Sequence, residues 1–165
     1  MAHQADEVDR IVDAWRTQRP DLDFSPMEVL SRVDRLSRHL DRARRDAFRR
    51  SDLEPWEWDV LSALRRAGVP FQLSPKQLLQ QTLVSSGTMT NRIDRLVERR
   101  LVRREDDPDD GRSVLVTLTE PGRVRVDAAI TRLVDAVAAL LESLSGGYRD
   151  GVAALLRKLA LGFDE

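Results

Sequence analysis

Cysteine is absent from the 165-residue chain, and there are only two histidines, His3 and His39. The lack of thiols excludes disulfides, cysteine zinc sites, thiol nucleophiles and oxidant sensing through sulfur. The two histidines are far apart in sequence, so zinc binding has little support. There is also no glycine-rich phosphate loop. We therefore expect neither an enzyme nor a protein that holds a metal or cofactor.

Long apolar runs are also absent, since no stretch approaches the roughly 18–20 residues of a membrane span. The N-terminus lacks the basic and apolar regions of a signal peptide. With 41% hydrophobic and 33% charged residues, the chain can bury a core beneath a densely charged surface. These features predict a cytoplasmic protein that does not associate with membranes.

The net charge of −1 argues against a uniformly basic protein, but the charges are unevenly distributed. Residues 72–104 contain seven Lys and Arg against two acidic residues, a local footprint suited to phosphates. Residues 32–50 are comparably basic, with eight Arg against three Asp. Because charge runs also occur on ordinary solvated helices, charge alone leaves both interpretations open.

The hydrophobic pattern predicts a mainly helical protein with one β-hairpin. Capping boxes are expected at Ser25–Glu28 and Ser74–Gln77, and a further helix is expected to begin near Ser85 or Ser86 and end near Arg100. Strands are predicted at residues 101–105 and 113–118. The predicted organisation is N-terminal helices over 1–50, a winged helix-turn-helix over 51–119 and C-terminal helices over 120–165.

The helices at both chain ends have strong apolar faces that lie far in sequence from the central block. These faces need a partner, either each other or a second chain. A symmetric homodimer is the economical solution, so the terminal helices are predicted to mediate dimerisation.

A short helix, a tight turn, a second helix and an immediate hairpin make a winged helix-turn-helix, whose second helix enters the DNA major groove. Helical spacing points Thr88, Asn91 and Arg95 away from the apolar face. Ser85, Ser86 and the helix N-terminus can hold a phosphate. Such residues also occur on ordinary surface helices, so this helix alone does not decide the function.

The hairpin strengthens the DNA interpretation. Arg112 lies at its tip and suits a narrow minor groove, while Asp110 can orient its guanidinium. The alternative is a charged turn whose ion pair contributes little. A calcium loop does not fit, because Pro108 and Thr117 would occupy two ligand positions.

The stretch Leu73–Gly122 resembles the MarR family of bacterial transcription regulators, with the wing motif Asp107-Pro108-x-Asp110-x-Arg112 followed by Leu118-Thr119-x-x-Gly122. The resemblance implies a homodimer with two winged lobes on a pseudo-palindromic operator in double-stranded DNA. The DNA-contacting positions that it implies are Ser85, Ser86, Thr88, Thr90, Asn91, Arg95 and Arg112.

Within that family, the sequence is similar to a branch that responds to urate and related anions. The resemblance implies a ligand site at Trp15, Asp59, Arg92 and Arg103. A planar anion would pair with the two arginines, stack on Trp15 and repel Asp59. Alternatively, Trp15 belongs to the core and Asp59 forms a structural ion pair with Arg92 or Arg103.

Two further hypotheses remain open. The same DNA-binding regulator would have a phenolic or drug-like effector, or none. A winged-helix module that binds protein instead of DNA is the other; it predicts weak salt dependence, whereas phosphate contacts predict a steep one.

Overall fold

The computed structural model describes residues 5–82, 84–107 and 114–163. This part of the chain folds into seven α-helices and three short strands, which confirms the predicted mainly helical architecture with a small sheet. In chain order the elements are α1 (Glu7–Gln18), α2 (Ser25–Arg49), α3 (Pro55–Arg66), β1 (Gln72–Leu73), α4 (Pro75–Gln81), α5 (Ser86–Glu98), β2 (Val102–Asp106), β3 (Val114–Leu118), α6 (Glu120–Leu140) and α7 (Gly146–Ala160), with a 3-10 turn at Leu161–Phe163.

Side-chain caps start the central helices where the sequence predicts. Ser74 accepts a hydrogen bond from the Gln77 amide at 3.3 Å, and the Gln77 side chain accepts one from the Ser74 amide at 2.8 Å. Ser85 caps α5 by accepting from the Thr88 amide. These bonds satisfy amides that have no partner within the first helical turn.

The predicted capping box at Ser25–Glu28 is wrong. The amide and hydroxyl of Ser25 both donate to the Asp23 carboxylate, each at 2.9 Å, and Ser25 is already helical. The Glu28 carboxylate instead accepts from Arg16 at 2.7 Å. An aspartate two residues upstream and an arginine on α1 therefore use the groups that the box requires.

The sheet has the strand order β1-β3-β2 and is antiparallel throughout. The hairpin pairs Val102 with Leu118 and Asp106 with Val114. The third strand, β1, is absent from the sequence prediction. It pairs only two residues with β3, and the adjoining Phe71 carbonyl accepts from the Leu118 amide at 3.0 Å.

Two boundaries also differ from the prediction. Helix α5 ends at Glu98, two residues early, because Arg100 adopts a left-handed conformation with φ of 59°. Strand β2 begins at Val102 and not at Leu101. The amide of Leu101 donates to the Leu96 carbonyl at 2.9 Å, so this residue still closes the end of the helix.

The junction between the hairpin and α6 depends on Gly122. Thr119 caps α6 by accepting from the Gly122 amide at 3.2 Å, and its own hydroxyl donates to the Arg100 carbonyl at 2.7 Å. A Cβ atom added to Gly122 would lie 2.1 Å from the carbonyl oxygen of Leu101. Only glycine permits this close approach of α6 to the start of β2.

Packing divides the chain into two units, Met1–Ala43 and Arg44–Glu165. The first contains α1 and most of α2 around a small buried cluster of Val8, Val12 and Phe24. The second contains one large core, built mainly from α3 to β3 and the first half of α6, which together we call the winged lobe. Fully buried members of that core include Leu61, Leu64, Leu78, Met89, Ile93, Leu96 and Leu101.

Helix α7 has no buried residue in the chain. Its side chains at Tyr148 and Leu155 are each 71% exposed. The stripe on α2 is also open, with Met27, Leu30, Val33, Leu36 and Leu40 exposed. Apolar faces of this kind are typical of surfaces that another chain covers.

Candidate nucleic-acid interface

Helix α5 has one apolar and one polar face. Met89, Ile93 and Leu96 are fully buried in the core of the winged lobe, and they fix the rotation of the helix. The opposite face exposes Ser86, Thr88, Asn91 and Arg95. The helical spacing therefore predicted the orientation correctly, and the polar face is free to meet a duplex.

The hydroxyl groups at the start of α5 are largely engaged within the helix. The oxygens of Ser85 and Thr88 lie 2.9 Å apart, and Thr90 donates to the Ser86 carbonyl at 3.2 Å. Within the described ranges the Asn91 side chain has no hydrogen-bond partner. The carboxamide of Asn91 is thus available to a base edge, whereas Ser85 and Thr88 first form the cap.

Two arginines of α5 lie against one aromatic ring. The guanidinium carbon of Arg95 is 4.8 Å from the centre of the Trp56 ring on α3, and that of Arg92 is 5.9 Å from it. Both distances fall within the range of cation–π contacts. Trp56, Thr88, Asn91, Arg92 and Arg95 line one open pocket of about 440 Å³, together with Gly87.

The C-terminal end of α5 is anchored to the start of α3 by charge. Glu57 is 1% exposed, and its carboxylate accepts from both the Glu54 amide and the Arg99 guanidinium. Arg99 also donates to the Asp52 carboxylate at 2.8 Å. A buried carboxylate with two donors is well satisfied, and it ties the two helices together.

Arginines on β2 alternate between the two faces of the hairpin. Arg104 pairs with Asp94 on α5 at 2.6 Å. Arg103 points to the other face, where its Nε lies 2.9 Å from Glu105. The hydrogen bonds that Glu105 accepts from Arg103 and from Thr117 hold the pKa of that carboxyl below its usual range.

The basic segment over residues 72–104 is therefore not a uniform cationic surface. Arg99, Arg103 and Arg104 are all paired with carboxylates of the same lobe. Arg92 and Arg95 contact an aromatic ring instead, and neither forms an ion pair with any residue that the structure describes. Their charges remain available to an external anion.

The four predicted ligand residues do not come together in one recorded contact. Trp15 is 49% exposed and stacks on Phe24 in the N-terminal unit, with the ring centres 6.3 Å apart. Asp59 lines a pocket of about 400 Å³ in the second unit, beside Arg44 and Arg66. Arg92 lines the separate pocket at Trp56.

The alternative of a structural ion pair for Asp59 is not seen. Across the described residues its carboxylate has no hydrogen-bond or ion-pair partner, while Arg103 is paired with Glu105. Nη1 of Arg92 is buried and likewise unpaired. An unpaired buried N–H donor is costly, and an incoming anion would satisfy it.

Comparison with known proteins decides the family. The model of the MarR family matches residues 51–113. The chain is 35% identical to the HTH-type transcriptional regulator PecS of Dickeya dadantii over 153 residues, covering 93% of this chain and 92% of the relative. It is 32% identical to the HTH-type transcriptional repressor NicR of Pseudomonas putida, covering 84% and 88%. The chain belongs to the MarR family.

Solved MarR-family structures share the fold. Escherichia coli MarR complexed with operator DNA has a TM-score of 0.65 at 26% identity, with 82% of this chain and 96% of that chain covered. A structure of Bordetella bronchiseptica BpsR, described with regulation of its DNA binding by 6-hydroxynicotinic acid, has a TM-score of 0.62 at 29% identity, with 80% and 92% covered. Both relatives therefore share the winged helix-turn-helix.

Two of the predicted DNA-contacting residues, Asp110 and Arg112, lie outside the described residues, so their roles stay predictions. In the described ranges, no helix meets the length and hydropathy needed to cross a membrane, and no group of three potential ligands could hold a metal ion.

Sequence reasoning missed Trp56 and Arg104. Trp56 follows the helix-starting Pro55, and its spacing from Val60 and Leu64 suggests an ordinary core position. Arg104 is one residue from Arg103, and the register of β2 alone decides which of them faces α5. A charge four to seven residues downstream of α5 carries no signal for that choice.

Proposed function

We propose that this MarR-family protein is a transcription repressor that binds a pseudo-palindromic operator as a homodimer and is released by a small anionic ligand. The observation that carries the proposal is the exposed polar face of α5. It presents Asn91 and Arg95 beside a hairpin on a helix whose rotation is fixed by the core. A helix so held can present the same side chains to every operator.

Operator DNA is the partner that this face fits best. The carboxamide of Asn91 suits the N6 and N7 edge of adenine, and the Arg95 guanidinium suits guanine or a phosphate. The E. coli MarR structure with operator DNA supports the same use of the fold. Ser85, Ser86, Thr88 and Thr90 would contact phosphates near the helix N-terminus.

Homodimerisation is supported by the open apolar faces of the terminal helices. No residue of α7 is buried, and the α2 stripe remains exposed. A two-fold interface would cover the same faces on both protomers at once. It would also set the spacing of the two α5 helices to match the half-sites of an operator.

An anionic effector is supported by the unpaired groups of the lobe. Nη1 of Arg92 is a buried donor without an acceptor, and the Asp59 carboxylate has no counter-ion in the described part of the chain. An anion at Arg92 would satisfy the donor. The regulation of BpsR by 6-hydroxynicotinic acid gives a precedent for a small carboxylic acid on this fold.

The first experiment is an anisotropy titration of the protein on DNA from its own upstream region, at about 50 mM and about 200 mM salt, with and without urate. We expect tight binding that weakens steeply with salt, because phosphate contacts release counterions. Relief by urate would support the anion-responsive branch. Tight binding that ignores urate would retain the repressor and overturn this ligand.

Binding that ignores DNA of every sequence, in a selection from random duplexes, would contradict the repressor. A protein-interaction module would then be the better interpretation. Asn91→Ala serves as the variant for base recognition: we expect loss of preference for the operator over random DNA. Equal losses on both would demote Asn91 to a phosphate contact.

The ligand site is tested with Arg92→Ala against Arg103→Ala and Arg104→Ala. We expect Arg92→Ala to blunt the response to urate more than it weakens operator binding. Because Arg104 faces α5 and Arg103 does not, a response lost in Arg104→Ala but kept in Arg103→Ala would move the second cation of the site. Trp15→Ala and Asp59→Asn complete the predicted set.

A further inference from the structure

The indole ring of Trp56 is the point at which two cations of α5 meet. It lies in the first turn of α3, partly buried, with the Arg95 guanidinium carbon at 4.8 Å and the Arg92 one at 5.9 Å. One ring thus contacts one arginine of the polar face and one arginine whose Nη1 is buried. Such a juxtaposition needs an explanation beyond core packing.

The ring is held in place from both neighbours along α3. Glu57, directly after it, is buried and binds Arg99 at the far end of α5. Trp58 stacks on Phe48 with the ring centres 4.7 Å apart and 17° between the planes. Because the residues that follow it are fixed in this way, Trp56 presents its ring to α5 from a rigid helix start.

Arg95 has little else to order it. Across the described residues its guanidinium forms no hydrogen bond or ion pair, so the ring is the contact that restricts its rotamers. A long side chain that must be ordered on binding loses conformational entropy at that moment. A platform that orders it beforehand reduces the loss and so raises affinity.

We propose that Trp56 is a positioning residue for DNA binding: its indole orders the Arg95 guanidinium at the face of α5 that meets the duplex. The proposal rests on the proposed function. Arg92 shares the same ring, so the two guanidinium groups are neighbours on one surface, and a change at Arg92 reaches Arg95 through the platform.

The experiment is a double-mutant cycle on operator affinity with Trp56→Leu and Arg95→Ala in the full-length protein. Leucine keeps an apolar side chain but removes the ring quadrupole. We expect Trp56→Leu to weaken binding about threefold to tenfold in the wild-type background and less than about twofold in the Arg95→Ala background. Independent, additive losses would overturn the proposal.

Two further variants separate positioning from folding. Trp56→Phe retains an aromatic face and is expected to recover most of the affinity lost in Trp56→Leu. Trp58→Leu is the matched control, since it removes a tryptophan two residues away that stacks on Phe48 and not on the α5 arginines. Equal losses in Trp56→Leu, Trp56→Phe and Trp58→Leu would show a merely structural role.

A readout without DNA distinguishes failure of this proposal from failure of the proposed function. In the free protein, the side-chain NMR signals of Arg95 should be shifted by the indole ring current, and Trp56→Leu should remove that shift. Absence of the ring-current shift overturns the platform even where DNA binding is intact. A shift that is present in a protein without DNA affinity overturns the repressor, and the role of Trp56 in DNA binding with it.

Discussion

The winged lobe and the helices at the two chain ends are stabilised in different ways. The lobe closes around its own apolar core, with Leu61, Leu64 and Ile93 removed from water. The N-terminal unit has a three-residue buried cluster, and its two helices are connected by exposed ion pairs from Arg32 to Asp6 and Asp9. Helix α7 buries nothing.

This contrast teaches where stability and assembly reside. A core that buries about ten large side chains can support the lobe alone. The terminal helices carry apolar area that gains nothing until a second surface covers it. We therefore expect substitutions in the lobe to change the free energy of unfolding, and substitutions at the ends to change assembly.

The largest effect is expected from Leu155→Asp on α7. Burial of one leucine contributes roughly 1.5–3 kcal/mol, and a two-fold interface contains it twice, so dimerisation should weaken by at least about 3 kcal/mol. Sedimentation equilibrium measures the change. Val69→Asp is the control, because Val69 is 85% exposed in a turn of the lobe.

A dimer that tolerates Leu155→Asp would contradict the assignment of α7 to the interface. Equal loss in both variants would show that any added acid, and not the covered face, disrupts the dimer. Assembly that survives both changes would shift attention to the α2 stripe, where Leu36 is 61% exposed.

The second prediction concerns Gly122→Ala against Gly151→Ala. A methyl group at Gly122 would meet the Leu101 carbonyl at 2.1 Å, so α6 must move or the hairpin must open. We expect a loss of about 3 kcal/mol in the free energy of unfolding, as for overpacked cores. Urea denaturation, followed by circular dichroism, measures it.

Gly151 lies inside α7, where an added Cβ meets nothing. The same substitution there should stabilise the helix by about 0.5–1 kcal/mol, since alanine is the better helix former. Opposite signs at the two glycines would support the contrast between a closed lobe and open ends. A neutral Gly122→Ala would show that the junction can yield.

The helices and caps of the lobe could be predicted because their signals are local. Ser74 and Ser85 announce helix starts within four residues, and the 3.6-residue period fixes which face of α5 is buried. The hairpin was also within reach, since Val114, Val116 and Leu118 alternate with other residues along β3.

What the sequence did not reveal depends on partners distant along the chain. Strand β1 has two residues and no pattern of its own; it exists because β3 passes beside it. Trp56 contacts Arg92 and Arg95 across more than 35 residues. The predicted ligand set has the same weakness, because four separate positions say nothing about the pockets that they line.

The third prediction sets one unit against the other in a single pH titration. Hydrogen bonds from the Asp9 and Asp6 amides lower the pKa of Asp6 and of Asp9, in each case together with Arg32. A lowered pKa stabilises the fold above the unfolded value, and that contribution is lost as the pH falls through the folded value. The N-terminal unit should therefore loosen in acid first.

The indole NMR signals of Trp15 and Trp58 report the two regions separately. Trp15 stacks on Phe24 in the N-terminal unit, and Trp58 stacks on Phe48 in the other. We expect the Trp15 signal to change at a higher pH than the Trp58 signal, and Arg32→Met to raise that pH further. Coincident changes would mean that the two units unfold together in acid.

The smallest effect is expected at the hairpin surface, where Arg103→Ala should raise the pKa of Glu105 toward its usual range. Side-chain hydrogen bonds from Arg103, and then from Thr117, keep that pKa low, so loss of the first donor reverses only part of the shift. Carboxyl ¹³C NMR measures it. Arg104→Ala is the control: Arg104 pairs with Asp94 on the opposite face, and its loss should leave the Glu105 pKa unchanged. Equal shifts in both variants would contradict the alternation of the arginines along β2. Because the pair is exposed, the stability of the lobe should scarcely change in either variant, as expected where an apolar core and not surface charge holds the structure.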